Sequence, residues 1–168
     1  MLSPCSLCSA RCCKELYITV TAFDVLRISA KTGKEPSEFA ELYPLRIINF
    51  DNETVLECYD GTVYPAEYIL CIKSHPCFFL KDNKCTIHEF SPCVCRSFPK
   101  GIDGRWKTRM CPFPAGWLFW IFGTNMPNYY ARELAVYKDI VMEWNKKKGK
   151  KEDCMEFLLK NARRRSEC

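Results

Sequence analysis

Apolar side chains recur at helical spacing near the end of the chain: Leu134, Tyr137, Val141 and Trp144, then Met155, Leu158 and Ala162. Such residues share one face of a helix, so the pattern predicts two amphipathic helices joined by the polar stretch 146–151. Thr21 followed by Asp24 predicts a helix start, with Phe23, Leu26 and Ala30 on one face and Gly33 at the end. Ser37 is expected to cap a second short helix through Phe39 and Leu42, stopped by Pro44. Residues 16–20 read as a short apolar strand. Between Arg46 and Lys73 the pattern turns β-prone, with short runs at 47–50, 54–59 and 62–64. Asp51-Asn52 and Asp60-Gly61 supply turns between these runs. Residues 77–80 and 85–87 flank Lys81-Asp82-Asn83-Lys84, a tight reversal that brings Cys77 and Cys85 near each other. Pro92, Pro99, Pro112 and Pro114 then break any long helix. The opening stretch 5–13 has no helical or strand period and reads as a ligand loop.

These elements predict an α+β protein: a small, irregular, metal-stabilised core with short antiparallel strands, flanking helices and a C-terminal helical pair. The expected organisation is a cysteine-rich domain over 1–125 and a helical extension over 126–168, packed on the same domain. No run reaches the roughly 20 apolar residues that a membrane span needs. The aromatic stretch 117–122 reads as buried core, with an exposed docking patch as the alternative.

Thirteen cysteines in 168 residues change the picture. The count is odd, and the first residues show no basic stretch leading into a long apolar run. Together these favour a reduced, cytoplasmic, metal-binding state over a disulfide framework. Net charge is +5, concentrated in the tail in the runs 146–151 and 163–165. Such runs can follow a phosphate backbone, which makes nucleic acid or the ribosome a candidate partner. Solvated helix ends are the simpler reading.

Eight cysteines have spacings that suit ligation: Cys5, Cys8, Cys12 and Cys13, then Cys77, Cys85, Cys95 and Cys111. Two residues between Cys5 and Cys8 let one loop aim both sulfurs at one ion. Adjacent side chains tend to diverge, so Cys12 and Cys13 are expected to serve two centres or to divide into one ligand and one packing residue. Eight thiolates would saturate two zinc sites, or one four-iron cluster with four sulfurs left for a second centre. Cys58 and Cys71 read as lone buried apolar residues. Cys93, Cys154 and Cys168 read as extras, Cys93 as a surface thiol or decoy. His75 and His88 are read as packing or turn residues rather than ligands. Asp82, Glu89 and Asp103 lie near the ligand segments. No Ser-His-Asp arrangement, phosphate-binding glycine loop or dinucleotide fingerprint is visible.

At CSLCSARCC followed by ITVTAFDVLRIS, and again at CFFLKDNKCTIHEFSPCVCRSFP, the chain resembles the CxxCxxCC cysteine-cluster family of zinc- or iron-chelating proteins. The resemblance runs from Cys5 to Cys111. It implies the ligand role for Cys77, Cys85 and Cys95, with Arg96 following, and for Cys111 as the closing cysteine. Three residues rather than two separate Cys8 from Cys12, and Ser9 and Ser91 stand where glycine and arginine are usual. Composition and resemblance together imply an intracellular protein binding zinc or an iron–sulfur cluster, 4Fe–4S among the options, with an accessory or structural role beside a protein partner. A related module occurs in flagellin lysine methylases. The second expectation is therefore an iron–sulfur enzyme that modifies protein, with 117–122 lining a pocket, and the third a nucleic-acid or ribosome binder.

Overall fold

A computed structural model of the chain describes residues 9–48, 54–98 and 127–166. Thr21 opens the first long helix as its sequence requires. Its hydroxyl accepts the Asp24 N–H at 3.1 Å, and the Asp24 carboxylate takes the Thr21 N–H at 3.2 Å. This capping box starts α2 (Ala22–Thr32), and Gly33 closes it in the left-handed region at φ 69°. The buried face is not the expected one. Ala22, Phe23, Asp24, Val25 and Ile28 turn inward, whereas Leu26 is half-buried and Ala30 exposed. The charged Asp24 is buried because it has partners there, and the apolar stripe shifts with it.

Four further expectations need correction. Residues Arg11–Glu15 form a short helix, α1, not a loop; Ala10 enters it at φ 57°, and an Arg11–Glu15 ion pair at 2.9 Å spans its one turn. The next short helix, α3 (Pro36–Phe39), is capped by Glu35 rather than Ser37, with Pro36 at its first position. It gives way at once to strand β1 (Ala40–Pro44), so Leu42 sits in a strand. Within 47–50, Ile47 ends a 3-10 turn over Leu45–Ile47, while residues 49–53 lie outside the described ones. Residues 62–64 make no strand. Gly61 turns the chain at φ 82°, and the Thr62 hydroxyl donates to the Tyr64 carbonyl at 2.7 Å, which bends the backbone locally.

Also unpredicted is β3 (Ala66–Ile72), the longest strand among the described residues, at the centre of an antiparallel sheet ordered β1-β3-β2, where β2 is Leu56–Cys58. Register places Leu42 opposite Leu70 and Leu56 opposite Tyr68. The segment expected as a strand at 16–20 reduces to a bridge between Thr19 and Cys71. A two-stranded hairpin follows, β4 (Leu80–Lys81) and β5 (Lys84–Cys85), as the reversal predicts. Asp82 and Asn83 both take positive φ, 50° and 58°, the geometry of a two-residue turn that matches strand twist. After α4 (Cys93–Ser97) come the two predicted helices, α5 (Tyr130–Lys147) and α6 (Lys151–Ser166).

One core joins the sheet to α2, α5 and α6. Ile28, Leu56, Cys58, Ile140, Trp144, Cys154, Leu158 and Ala162 have no exposed surface in it. The outer edge of β2 is covered by α5 side chains. Asn145 accepts the Glu57 N–H at 2.9 Å and donates to the Val55 carbonyl at 2.9 Å. The Trp144 indole N–H donates to the Glu57 carbonyl at 2.9 Å. Gly149, in the turn between α5 and α6, lies flat on the Trp144 ring; a Cβ there would come within 2.7 Å of Cζ3. Gly149→Ala is therefore expected to cost about 1–3 kcal/mol by overpacking, read as a lower denaturant midpoint at unchanged slope. A loss under about 0.5 kcal/mol would show that this turn repacks freely. Among the described residues, no helix is long and apolar enough to cross a membrane.

Candidate metal centre

Cys12 and Cys13 sit side by side on α1 because Ala10 reverses the chain just before it. Backbone bonds tie this turn to the second cysteine segment. The Cys77 N–H donates to the Cys13 carbonyl at 2.8 Å, and His75 Nδ1–H donates to the Lys14 carbonyl at 3.1 Å. The His75 ring also meets the Tyr17 ring edge-on, 4.2 Å between centres. The hairpin then carries Cys85 back alongside: Leu80 pairs with Cys85, and the Thr86 N–H reaches the Phe79 carbonyl at 2.9 Å. Pro92 starts α4, and Cys95 lies on its first turn.

Five of the eight predicted ligands are thus described, and they act on one another. The Cys12 and Cys13 sulfurs are 3.9 Å apart. They converge, against the expectation that neighbouring side chains diverge. Two thiolates on one tetrahedral zinc, each at about 2.3 Å, would stand about 3.8 Å apart. The hydrogen bond from Cys13 lowers the Cys12 pKa to about 7. The same bond, with burial and the charges of Cys12, Cys95 and Cys77, pushes the Cys13 thiol far up. Burial, then the Cys12, Cys77 and Cys85 charges, holds Cys95 well above its ordinary value. Burial also raises Cys77, with Cys85 and Cys12 adding to it, and raises Cys85, with Cys12 adding. Ionised together, these thiols would repel one another unless a cation offset their charge.

Among the described residues, no group of three or more His, Cys, Asp or Glu side chains could hold a metal ion as placed. Cys5, Cys8 and Cys111, the other three predicted ligands, lie outside the described residues, as do Cys168, Asp103 and the aromatic stretch 117–122. The soft, crowded donors fit a thiophilic metal in their chemistry; three of the expected eight sulfurs are not among those whose positions are described.

A polar network that the pattern did not reveal anchors α4. Asp24, 2% exposed, accepts the Cys93 N–H at 3.0 Å and Arg27 Nη1 at 2.8 Å on one oxygen. Arg27 Nη2 then grips both oxygens of Glu133 on α5, at 2.6 and 2.8 Å. Burial works against the Arg27 charge, but the Glu133 bond and the Asp24 charge outweigh it and raise its pKa. The guanidinium also lies 5.1 Å from the Tyr129 ring centre, and the Tyr129 hydroxyl accepts from Arg96 at 3.2 Å. Three helices therefore meet where Cys95 is presented. The sequence signal was the Thr21–Asp24 box alone; nothing local marks the reach to Cys93.

The remaining cysteines also depart from expectation. Cys93 is no surface thiol: it has no exposed surface, and burial followed by the Asp24 charge pushes it up to about 12. Cys71 behaves as the expected apolar residue, fully buried and pushed up to about 12 by burial. Cys58 is buried but not lone: the Cys154 thiol acts on it and holds its pKa below the ordinary value. His88 is exposed, on the 3-10 turn His88–Phe90. In the basic run, Lys147 lies over the Trp144 and Phe157 rings, Lys148 over Tyr59 and Lys151 over Tyr68.

Neither a curated protein nor a solved structure matches the chain. Residues 4–112 match one family model, CxxCxxCC, described as "Putative zinc- or iron-chelating domain".

Proposed function

The chain belongs to the CxxCxxCC family, and on that footing we propose that it is a thiolate metalloprotein whose metal clamps α1, the β4–β5 hairpin and α4 into one unit, a structural or accessory role beside a protein partner. Cys12, Cys13, Cys77, Cys85 and Cys95 would contribute ligands from the described residues, and Cys5, Cys8 and Cys111 the rest. One observation carries the reading: thiols from three separate segments are held hard to ionise, by burial first at Cys77, Cys85 and Cys95 and then by one another's charges, with the bond to Cys12 leading at Cys13. A divalent cation reverses that penalty and converts it into folding free energy.

The 3.9 Å separation of Cys12 and Cys13 favours a mononuclear tetrahedral ion, with zinc ahead of an iron–sulfur cluster. Among the described residues, one cleft of about 480 Å³ is lined by Asp60, Lys151 and Met155 and another of about 350 Å³ by Leu26, Ala30 and Arg163; none of Cys12, Cys13, Cys77, Cys85 and Cys95 lines either.

Anaerobic purification followed by metal analysis tests this. The expected product is colourless, with stoichiometric zinc that is lost in Cys85→Ser and in Cys95→Ala. A brown protein with iron and acid-labile sulfide would replace zinc by a cluster. A well-ordered protein with no metal, or variants that keep full metal content, would overturn the ligand assignment.

A further inference from the structure

The connection from β2 to β3 is fastened to the turn between α5 and α6. The Tyr59 N–H donates to the Gly149 carbonyl at 2.9 Å, and the Lys151 N–H donates to Asp60 Oδ1 at 3.0 Å. The turn brings the five lysines of 146–151 to this loop. Lys148 lies 5.7 Å from the Tyr59 ring centre and Lys151 4.6 Å from that of Tyr68. Across 59–65 and 146–153 these five lysines stand against three carboxylates, Asp60, Glu152 and Asp153. Glu152 reaches Lys150 at 3.8 Å, with both side chains exposed. The same loop carries a bare tip. Gly61 turns the chain, and the Thr62 hydroxyl donates to the Tyr64 carbonyl, which leaves Val63 87% and Tyr64 82% exposed. These are the most exposed large apolar side chains among the described residues.

A nucleic-acid strand and a lipid surface both offer phosphate to such lysines. A strand is held in a basic groove whose free aromatic faces stack its bases. The cleft of about 480 Å³ beside the loop sets Glu41, Asp60 and Glu152 against Lys151, so it repels a phosphate backbone. Lysines already cover a face of Tyr59 and of Tyr68, and Val63 has no π face to offer a base. An exposed apolar tip beside clustered lysines fits a bilayer better: tyrosine is favoured at headgroup level, and lysine clusters are drawn to anionic lipid.

We propose that this loop and turn form a membrane-docking surface: Val63 and Tyr64 enter the headgroup region of an anionic bilayer, and the lysines of 146–151 meet its phosphate groups. The protein lies on the membrane and does not cross it. Binding is reversible and salt-sensitive, because two apolar side chains and a few charges together make a modest anchor. The backbone bonds from Tyr59 and Lys151 hold tip and lysines together before contact, so little freedom is lost on docking. No thiol of the metal set takes part.

Co-sedimentation of the full chain with vesicles tests this, using phosphatidylglycerol mixed with phosphatidylcholine against phosphatidylcholine alone. The protein is expected to pellet with the anionic vesicles about tenfold or more better than with the neutral ones, and to be released as salt rises from about 0.1 M to about 0.5 M. The double variant Val63→Ser, Tyr64→Ser should bind about tenfold or more weakly while keeping its salt dependence, as the loss of two buried apolar side chains requires. Lys146→Glu with Lys150→Glu should weaken binding and flatten the salt dependence; neither lysine is stacked on a ring, and both are exposed, so the fold is expected to tolerate the change. Equal denaturation midpoints for variants and wild type separate lost docking from lost folding. The proposal is overturned if the wild-type protein stays in the supernatant with both vesicles, if it pellets equally with both, or if the tip variant binds as well as wild type. Tight binding of single-stranded oligothymidine without vesicle binding would overturn it in favour of nucleic acid. Metal content is measured independently, so failure of the metal reading is seen separately.

Discussion

Chelating the metal is expected to release the thiol region while the helical core stays folded. Metal binding supplies on the order of 10 kcal/mol to small zinc-folded peptides, because no site exists in the unfolded chain. Here that energy acts where the apolar core is thinnest. Cys12 and Cys13 on α1, and Cys85 at the end of β5, are only half-buried. By contrast, Ile28, Ile140, Trp144 and Leu158 have no exposed surface. Amide exchange should therefore speed up by about a hundredfold or more at Cys77 and Thr86, the equivalent of about 3 kcal/mol of local stability. The interior of α2 and α5 should change by less than about tenfold. Acid should produce the same release, because protons compete with metal for the thiolates. If exchange rises equally in all segments, the metal holds the whole fold; if it rises nowhere, these sulfurs do not hold it.

Asp24→Ala should be the most damaging single change outside the cysteines, at about 3–5 kcal/mol. The variant would leave the Arg27 guanidinium with one carboxylate partner instead of two and strip the Cys93 and Thr21 N–H groups of their acceptors. Asp24→Asn keeps the shape and one acceptor oxygen, so about 2 kcal/mol is expected from the weakened charge-assisted bonds. Equilibrium denaturation measures both. The metal content of Asp24→Ala should fall as well, since α4 carries Cys95 and is held at its start by this carboxylate. A loss below about 1 kcal/mol would show that the three helices do not depend on the network.

What the sequence made legible was local. The Thr21–Asp24 box, the Gly33 stop, the Asp82-Asn83 reversal and the apolar spacing of α5 and α6 each depend on residues a few positions apart. The cysteine segments were legible for the same reason, since the spacing of each is local, and Cys12 and Cys13 stand with their sulfurs 3.9 Å apart. What escaped depends on distant partners. Asp24 read only as part of a helix start; its bond to Cys93, 69 residues away, turns it inward and moves the buried face of α2. Cys58 read as a lone apolar residue because Cys154, which acts on it, lies 96 residues further along the chain. Strand β3 carries Ala66, Glu67 and Tyr68 ahead of its fully buried half, which blurred its alternation.

Asn145 and Trp144 have a consequence for the behaviour of the protein in crowded solution. A strand at the margin of a sheet normally offers its unpaired main-chain groups to any extended peptide that drifts past, including another copy of itself. On β2 those outward groups are already taken by a carboxamide that imitates a neighbouring strand and by an indole beside it. That margin is closed to growth, so the helical hairpin that completes the core also protects the molecule from fibre-like stacking along β2.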